Sequence, residues 1–314
     1  MKFPRIDPTQ VVTYPLSQRK SKVATGALGV PWRTGGSIRD FLDALPRTLA
    51  AADLREIAQR ITAAVRAQRP VVLGMGAHPL KVGLSPLIID LLDRGILSAV
   101  AMNGAGIIHD FELAYQGETS EDVAEALRDG SFGMARETGE FLNAAIRAGV
   151  AQAGIGIGRA VGAQIRTAGL PSAHLSVLAA CARLDVPACV HVAVGTDIVH
   201  MHPQADGAAI GEGSLRDFHL LTAVVAQLEG GVFINLGSAV IIPEVFLKAL
   251  SLARNLGYTV NAFTTVDLDF VRHYRPAVNV VTRPTQQGGQ GFHLTGHHEI
   301  MFPLLWAAVE DLLA

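Results

Sequence analysis

Short β-branched runs that end in a glycine- or asparagine-rich turn and then give way to a helix-period segment recur along most of this chain. That alternation constrains the fold more than any single motif does. Val71-Val-Leu73 runs into Gly74-Met-Gly76, and Leu84 to Leu92 is then apolar almost all round; the order is strand, loop, buried helix. Leu97 to Met102 is the next strand, ending in Asn103-Gly-Ala-Gly106 before a polar loop and a helix near Ser120 to Leu127. Ala188 to Val194 and Gly231 to Leu236 read as strands, with helices from Leu215 to Leu228 and from Pro243 to Asn255. Tyr258 to Thr264 and Ala277 to Val281 complete the strands, and Pro303 to Leu313 closes the chain as helix. Alternation over this length predicts an α/β fold, a Rossmann-like doubly wound parallel sheet. Ligands of such sheets lie beyond the carboxyl ends of the strands. The turns after residues 73, 102, 194, 236 and 264 are therefore the places to search.

Residues 1–36 lack any sustained period and are broken by Gly26, Gly29, Gly35 and Gly36, which predicts an N-terminal arm ahead of a single domain over 37–314. Ser37-Ile-Arg-Asp40 has the form of a capping box, and Pro46 divides the helical pattern behind it in two, the second helix running from about Asp53 to Arg66. The formal net charge of −2 and the short basic cluster Arg19-Lys20-Ser21-Lys22 argue against a nucleic-acid partner. No apolar stretch is long enough to cross a membrane and the first residues lack an export signal, so the expected location is the cytoplasm. With 49% hydrophobic and 17% charged residues, the surface is apolar enough to expect a homo-oligomer. Cys181 and Cys189 are not expected to form a structural disulfide.

Gly156-x-Gly158-x-x-x-Gly162 misses the dinucleotide fingerprint by one residue and follows no clear strand, so close helix packing through small residues is the better reading. The turns at Gly74-Met-Gly76 and Asn103-Gly-Ala-Gly106 do follow strands, where backbone N–H groups can approach a phosphate or ribose. His109-Asp110-Phe111-Glu112 sets an imidazole and two carboxylates just past a strand end, a group able to shuttle protons or hold a metal. His200-Met-His202 and His297-His298-Glu299 are further candidates. With His78 and His191, seven of the eleven histidines fall at predicted strand ends. No nucleophile elbow, catalytic cysteine pattern or Walker A loop occurs.

The ordered set Pro70-Val-Val-Leu-Gly74, Gly83-Leu-Ser-Pro-Leu-Ile-Ile-Asp90, Asn103-Gly-Ala-Gly-Ile-Ile-His-Asp110, Gly213-Ser-Leu-Arg-Asp217, Asn235-Leu-Gly-Ser-Ala-Val240 and Ile300-Met-Phe-Pro-Leu-Leu305 resembles deoxyhypusine synthase from about residue 37 onward. The resemblance implies an NAD-binding α/β fold and a homotetramer with sites at a dimer interface. It also implies transfer of an aminobutyl group through an imine on an enzyme lysine. Carried onto this chain, it assigns Gly74, Gly76, His78, Lys81, Asn103, Gly104, Gly237, Ser238 and His297 to the cofactor. His109, Asp110, Glu112, Glu212 and Glu244 take the acid–base roles.

The departures alter the chemistry. Ile242-Pro243-Glu244 stands where the family has Lys-His-His, and Lys248 is the last lysine of the chain, so imine formation at the family position is impossible. Three functional classes follow. One is an NAD-linked enzyme of altered chemistry acting on a small polar, amine- or amino-acid-like substrate. The second is a zinc- or other metal-dependent enzyme using His78, His109, His200, His202 and His297. The third is a nucleotide-binding protein without catalysis.

Overall fold

The structure, a computed structural model, describes residues 2–314, apart from the side chains of residues 152 and 153. Helices α1 (Ile38–Ala44) and α2 (Leu49–Arg66) precede strand β1 (Val71–Met75), and the Ser37–Asp40 capping box forms as expected. Helices α3 (His78–Lys81) and α4 (Ser85–Asp93) lead to β2 (Ala99–Asn103). Five helices then intervene, α5 (Gly104–Gln116), α6 (Val123–Ala126), α7 (Arg136–Ala148), α8 (Ile157–Thr167) and α9 (Val177–Leu184), before β3 (Ala188–His191). The second half runs α10 (Gly207–Val225), β4 (Val232–Leu236), α11 (Ile241–Asn255), β5 (Thr264–Asp269), α12 (Tyr274–Pro276), β6 (Gln290–Thr295) and α13 (His298–Leu313).

The six strands are all parallel in the order β3-β2-β1-β4-β5-β6, the doubly wound arrangement that the alternation predicted. Strand residues point alternately to the two faces, so both need an apolar cover. Leu73 and Ile234 join a core built with Ile57 of α2, Ile88 of α4, Ile107 of α5 and Phe302 of α13. Val72 and Phe233 join the opposite core, with Leu221 of α10 and Phe246 of α11. Gly158 and Gly162 of α8 meet the carbonyl oxygens of Ala188 and Leu178, where a Cβ would collide. That is the small-residue packing expected of this stretch. Both cysteines are free and buried. No helix among the described residues is long and apolar enough to cross a membrane.

Three local expectations are corrected. The polar segment after Asn103 is helix α5, which starts without any loop because the Asn103 side chain accepts from Gly106 N and caps it. Tyr258 to Phe263 is irregular and the strand begins only at Thr264. Ala277–Thr282, β-branched and read as a strand, is a π-helical turn whose Val280 packs into the α10–α11 core, and β6 takes the edge position instead. Its alternation of buried Phe292 and Leu294 with His293 and Thr295 is the period-2 signal of a strand.

Candidate functional site

The winding of the sheet reverses between the parallel neighbours β1 and β4, since α3 and α4 leave toward one face and α11 toward the other. The turns after these strands touch. Gly76 N donates to Leu236 O at 3.0 Å, Gly237 N donates to Leu268 O at 3.0 Å, and a Cβ on Gly76 would strike the Gly237 carbonyl. Gly237 itself has φ +66°, a left-handed conformation suited to glycine.

Against Gly237 lies His298, the first residue of α13 and only 1% exposed. Its Nε2 is 3.4 Å from Asp269 Oδ1, yet neither ring nitrogen has a hydrogen-bond partner. His78 meets this ring edge-on at 5.2 Å and Phe270 lies 5.7 Å away. Burial raises the pKa of Asp269, but the nearby His298 imidazole and the hydrogen bond from Phe270 N outweigh it and hold the carboxyl below its ordinary range. Beneath this edge, Asn235, Asp267 and His293 stand in register on β4, β5 and β6. Asn235 Nδ2 donates to Asp267 Oδ1 at 2.8 Å and to Ser238 O at 3.0 Å, while His293 Nδ1 lies 3.2 Å from Asp267 Oδ2. Strand register thus ties the β4 turn to two neighbouring strands.

On the β1–β3 side of the same edge is a cavity of about 190 Å³ whose wall includes Lys81, His109, Glu112, Glu121 and Asp197. Helix α5 places His109 and Glu112 one turn apart, so both face the cavity. Thr119 Oγ1 donates its single hydroxyl proton to Glu112 Oε2 at 2.5 Å, so it must accept from His109 Nδ1 at 2.7 Å. The tautomer is thereby set with the proton on Nδ1, and Nε2 is left as the basic nitrogen. Thr138 Oγ1 donates to the other Glu112 oxygen at 3.1 Å. Burial, reinforced by the positive charge of Lys81, lowers the His109 pKa to about 4, so the imidazole is neutral near pH 7. Asp197 packs over Gly104, the first residue of α5. Its Oδ2 is buried without a partner and burial raises its pKa.

The other expected residues disperse. Asp110, adjacent to His109, turns away into the core and caps α9, accepting from Ser176 Oγ at 2.5 Å, Val177 N at 2.7 Å and Leu178 N at 3.2 Å. Helical geometry separates the two, because neighbours in a helix point about 100° apart. Glu212 pairs with Arg216 on the surface of α10. Glu244 pairs with Lys248 and Arg275 and accepts from Asn279; neither glutamate lines the His109 cavity. Gly74 is not a loop residue but lies inside β1 under Ile242 and Phe233. Ser238 Oγ caps Ile242 N at 3.2 Å. His297 is exposed and stacks on Phe270; its neighbour His298 is the one buried at the edge.

The five histidines expected to share a metal do not converge, and no group of three or more His, Cys, Asp and Glu side chains among the described residues is placed to hold one. His200 Nδ1 accepts from Gly195 N and Asp197 N, at 3.1 and 3.3 Å. His202 Nε2 donates to Gly133 O at 2.8 Å. Thr119, Thr138 and Asp197 went unnoticed in the sequence, and no local pattern marks them.

No protein-family model matches the sequence, and no curated protein does. Solved structures are similar in fold. An arginine dihydrolase of the cyanobacterial ornithine–ammonia cycle, ArgZ, superposes with a TM-score of 0.53 at 16% identity, over 85% of this chain and 34% of its own. AgrE, solved as a ternary complex with ornithine and NAD+, gives 0.54 at 15% identity over 84% and 33%. This chain therefore spans about a third of those two proteins. A protein assigned as a deoxyhypusine synthase, from Entamoeba histolytica, gives 0.55 at 12% identity over 91% of this chain and 97% of that one. At such identities the likeness establishes the fold, a Rossmann-like doubly wound sheet of the deoxyhypusine synthase kind.

Proposed function

We propose that this protein is an NAD-linked enzyme acting on a small polar substrate of amine or amino-acid type, with chemistry other than deoxyhypusine synthesis. One observation carries the reading: a neutral His109, backed through Thr119 by Glu112, shares a cavity with Lys81 and the unpartnered Asp197 at the carboxyl edge of a doubly wound sheet. The residues at the adjoining switch point fit a dinucleotide. The buried nitrogens of His298 lack hydrogen-bond partners, the Gly76 and Gly237 turns pack their backbone close beside it, and α5 begins at the strand end with Gly104. Gly76, His78, Asn103, Gly104, Gly237 and His298 would hold NAD, which when bound accepts or returns a hydride.

The protein's own groups supply the rest. The Lys81 ammonium binds a substrate carboxylate, and Asp197 binds an ammonium group. His109 Nε2 takes the proton that leaves the substrate nitrogen or oxygen, and the developing imidazolium is stabilised by Glu112 through the Thr119 hydroxyl. With no lysine beyond Lys248, covalent imine chemistry at the family position has no part. The arm over 1–36, the single domain over 37–314 and the homotetramer with sites at a dimer interface belong to this reading. Exposed Leu215, Leu220, Leu256 and Tyr258 on and near α10 and α11 support the assembly.

Calorimetric titration with NAD, followed by assay of NADH formation with a panel of α-amino acids and diamines, tests the reading. Micromolar to low-millimolar NAD binding and turnover of at least one amine are expected. No NAD binding at about 10 mM (~10 times the upper end of common KM values) would sink it.

A further inference from the structure

The first turn of α4 is left open on one flank of the molecule. The helix starts at Ser85 just after Gly83, whose φ of +81° turns the chain out of α3. No side chain caps it, and Ser85 N and Leu87 N have no acceptor among the described residues. First-turn N–H groups point out of the helix end, where they and the helix dipole favour negative charge. The Ser85 side chain is an independent observation at the same place. It is only 3% exposed, yet its Oγ has no hydrogen-bond partner. A helical hydroxyl is commonly satisfied by the carbonyl one turn back, as Thr62 Oγ1 is by Ala58 O at 2.9 Å. Ser85 makes no such bond and instead lines a cavity of about 500 Å³.

Lys81, at the end of α3, belongs to the same wall. It is exposed and also lines the His109 cavity, so its flexible stem can carry the ammonium to either void. Thr119 is a further polar member, its hydroxyl already engaged by His109 and Glu112. Leu80, Leu113 and Leu175 make much of the rest apolar, and exposed Glu118 is the one carboxylate of the wall. No wall residue comes from the Gly76 and Gly237 turns, so this cavity is separate from the switch point.

We propose that the cavity binds a small phosphorylated compound, with its phosphate seated on the first turn of α4. Ser85 Oγ, Ser85 N, Leu87 N and the Lys81 ammonium donate to it, and four donors suit a group with three terminal oxygens better than a carboxylate with two. The volume is that of a small-molecule site and exceeds a bare phosphate, and the leucines cover the organic part. A phosphate held there competes with the His109 cavity for Lys81. The inference rests on the open end of α4 and not on the NAD reading, and its test uses neither NAD nor turnover.

Calorimetric titration of the full-length protein with phenyl phosphate decides it. Saturable binding in the micromolar to low-millimolar range is expected. Ser85→Ala and Lys81→Gln should each weaken it at least ~10-fold, as for loss of a hydrogen bond to a charged group, while Glu118→Gln should tighten it by removing a like charge. Ser85→Ala should also resist denaturant as well as the parent does, because the hydroxyl it removes has no partner to strand. No binding at about 10 mM, ~10 times a millimolar Kd, would overturn the proposal. So would binding indifferent to Ser85→Ala and Lys81→Gln, weaker binding in Glu118→Gln, or a large stability loss in Ser85→Ala, which would make Ser85 structural. Benzoate binding as tightly as phenyl phosphate would overturn the phosphate assignment, and inorganic phosphate binding as tightly would overturn the organic occupant.

Discussion

The two sides of the carboxyl edge use polar residues in opposite ways. On the β4–β6 side, Asn235 Nδ2, Asp267 and His293 are spent on one another and on the Ser238 carbonyl, with Asn235 Oδ1 the one buried atom of this row left without a partner, so they hold the edge in shape. On the β1–β3 side, the Lys81 ammonium has no ion-pair partner among the described residues, Asp197 Oδ2 is unpartnered, and His109 presents a basic Nε2 to a cavity. A polar group whose bonds are complete stabilises; one left incomplete beside a void is set to bind. His298 stands out on the first side, because its ring is sealed like a structural residue while its nitrogens lack hydrogen-bond partners like those of a binding site.

The contrast breaks most sharply at Asp267. Asp267→Ala strands Asn235 and His293 and should cost about 3 kcal/mol of stability, measured by denaturant unfolding, while the folded fraction keeps whatever ligand the cavity takes. A small stability loss would mean that the row is not structural. His109→Ala should do the reverse, lowering NAD-dependent turnover ~100-fold or more with a stability change within about 1 kcal/mol. Unchanged turnover would place the chemistry elsewhere. Thr119→Val keeps the shape but interrupts the path from His109 to Glu112, so turnover should fall ~10-fold and its acidic limb should shift; rescue by Thr119→Ser would assign the effect to the hydroxyl.

Lys81→Met has the smallest expected effect on the protein itself. Removing that charge should raise the His109 pKa from about 4 toward its ordinary value, as followed by NMR titration. A histidine with a depressed folded pKa binds its proton more readily when unfolded, so its neutral burial contributes stability that is lost as pH falls from about 6.5 toward 4. The variant should therefore lose less stability than the parent over that window. An unaltered His109 titration would show that Lys81 and His109 do not sense each other.

Much of the edge was legible from residue order. Strand ends rich in glycine and asparagine located β1, β2 and β4, and His109 with Glu112 could be singled out because they stand just past a strand end, where ligands of such sheets lie. Helical spacing would have set His109 and Glu112 on one face and turned Asp110 inward had the segment been recognised as helix, but its polar composition resembles a loop. Thr119 and Asp197 have no signal in their own neighbourhoods. Asp197 reaches the cavity only because the chain after β3 converges there with α5, and Thr119 meets His109 and Glu112 only because the chain folds back past the end of α5.

By itself the sequence determined the parallel sheet, the capped first helix, the packing glycines of α8 and the absence of a usable lysine after Lys248, all of which depend on local periodicity or on residue identity. Tertiary structure alone decided that Asp110 caps α9 while its neighbour faces a cavity, that Ala277–Thr282 is a helical turn, and that His298 rather than His297 is buried at the switch point. Those outcomes depend on which distant segments meet, and one polar side chain is satisfied or left open by a partner tens of residues away.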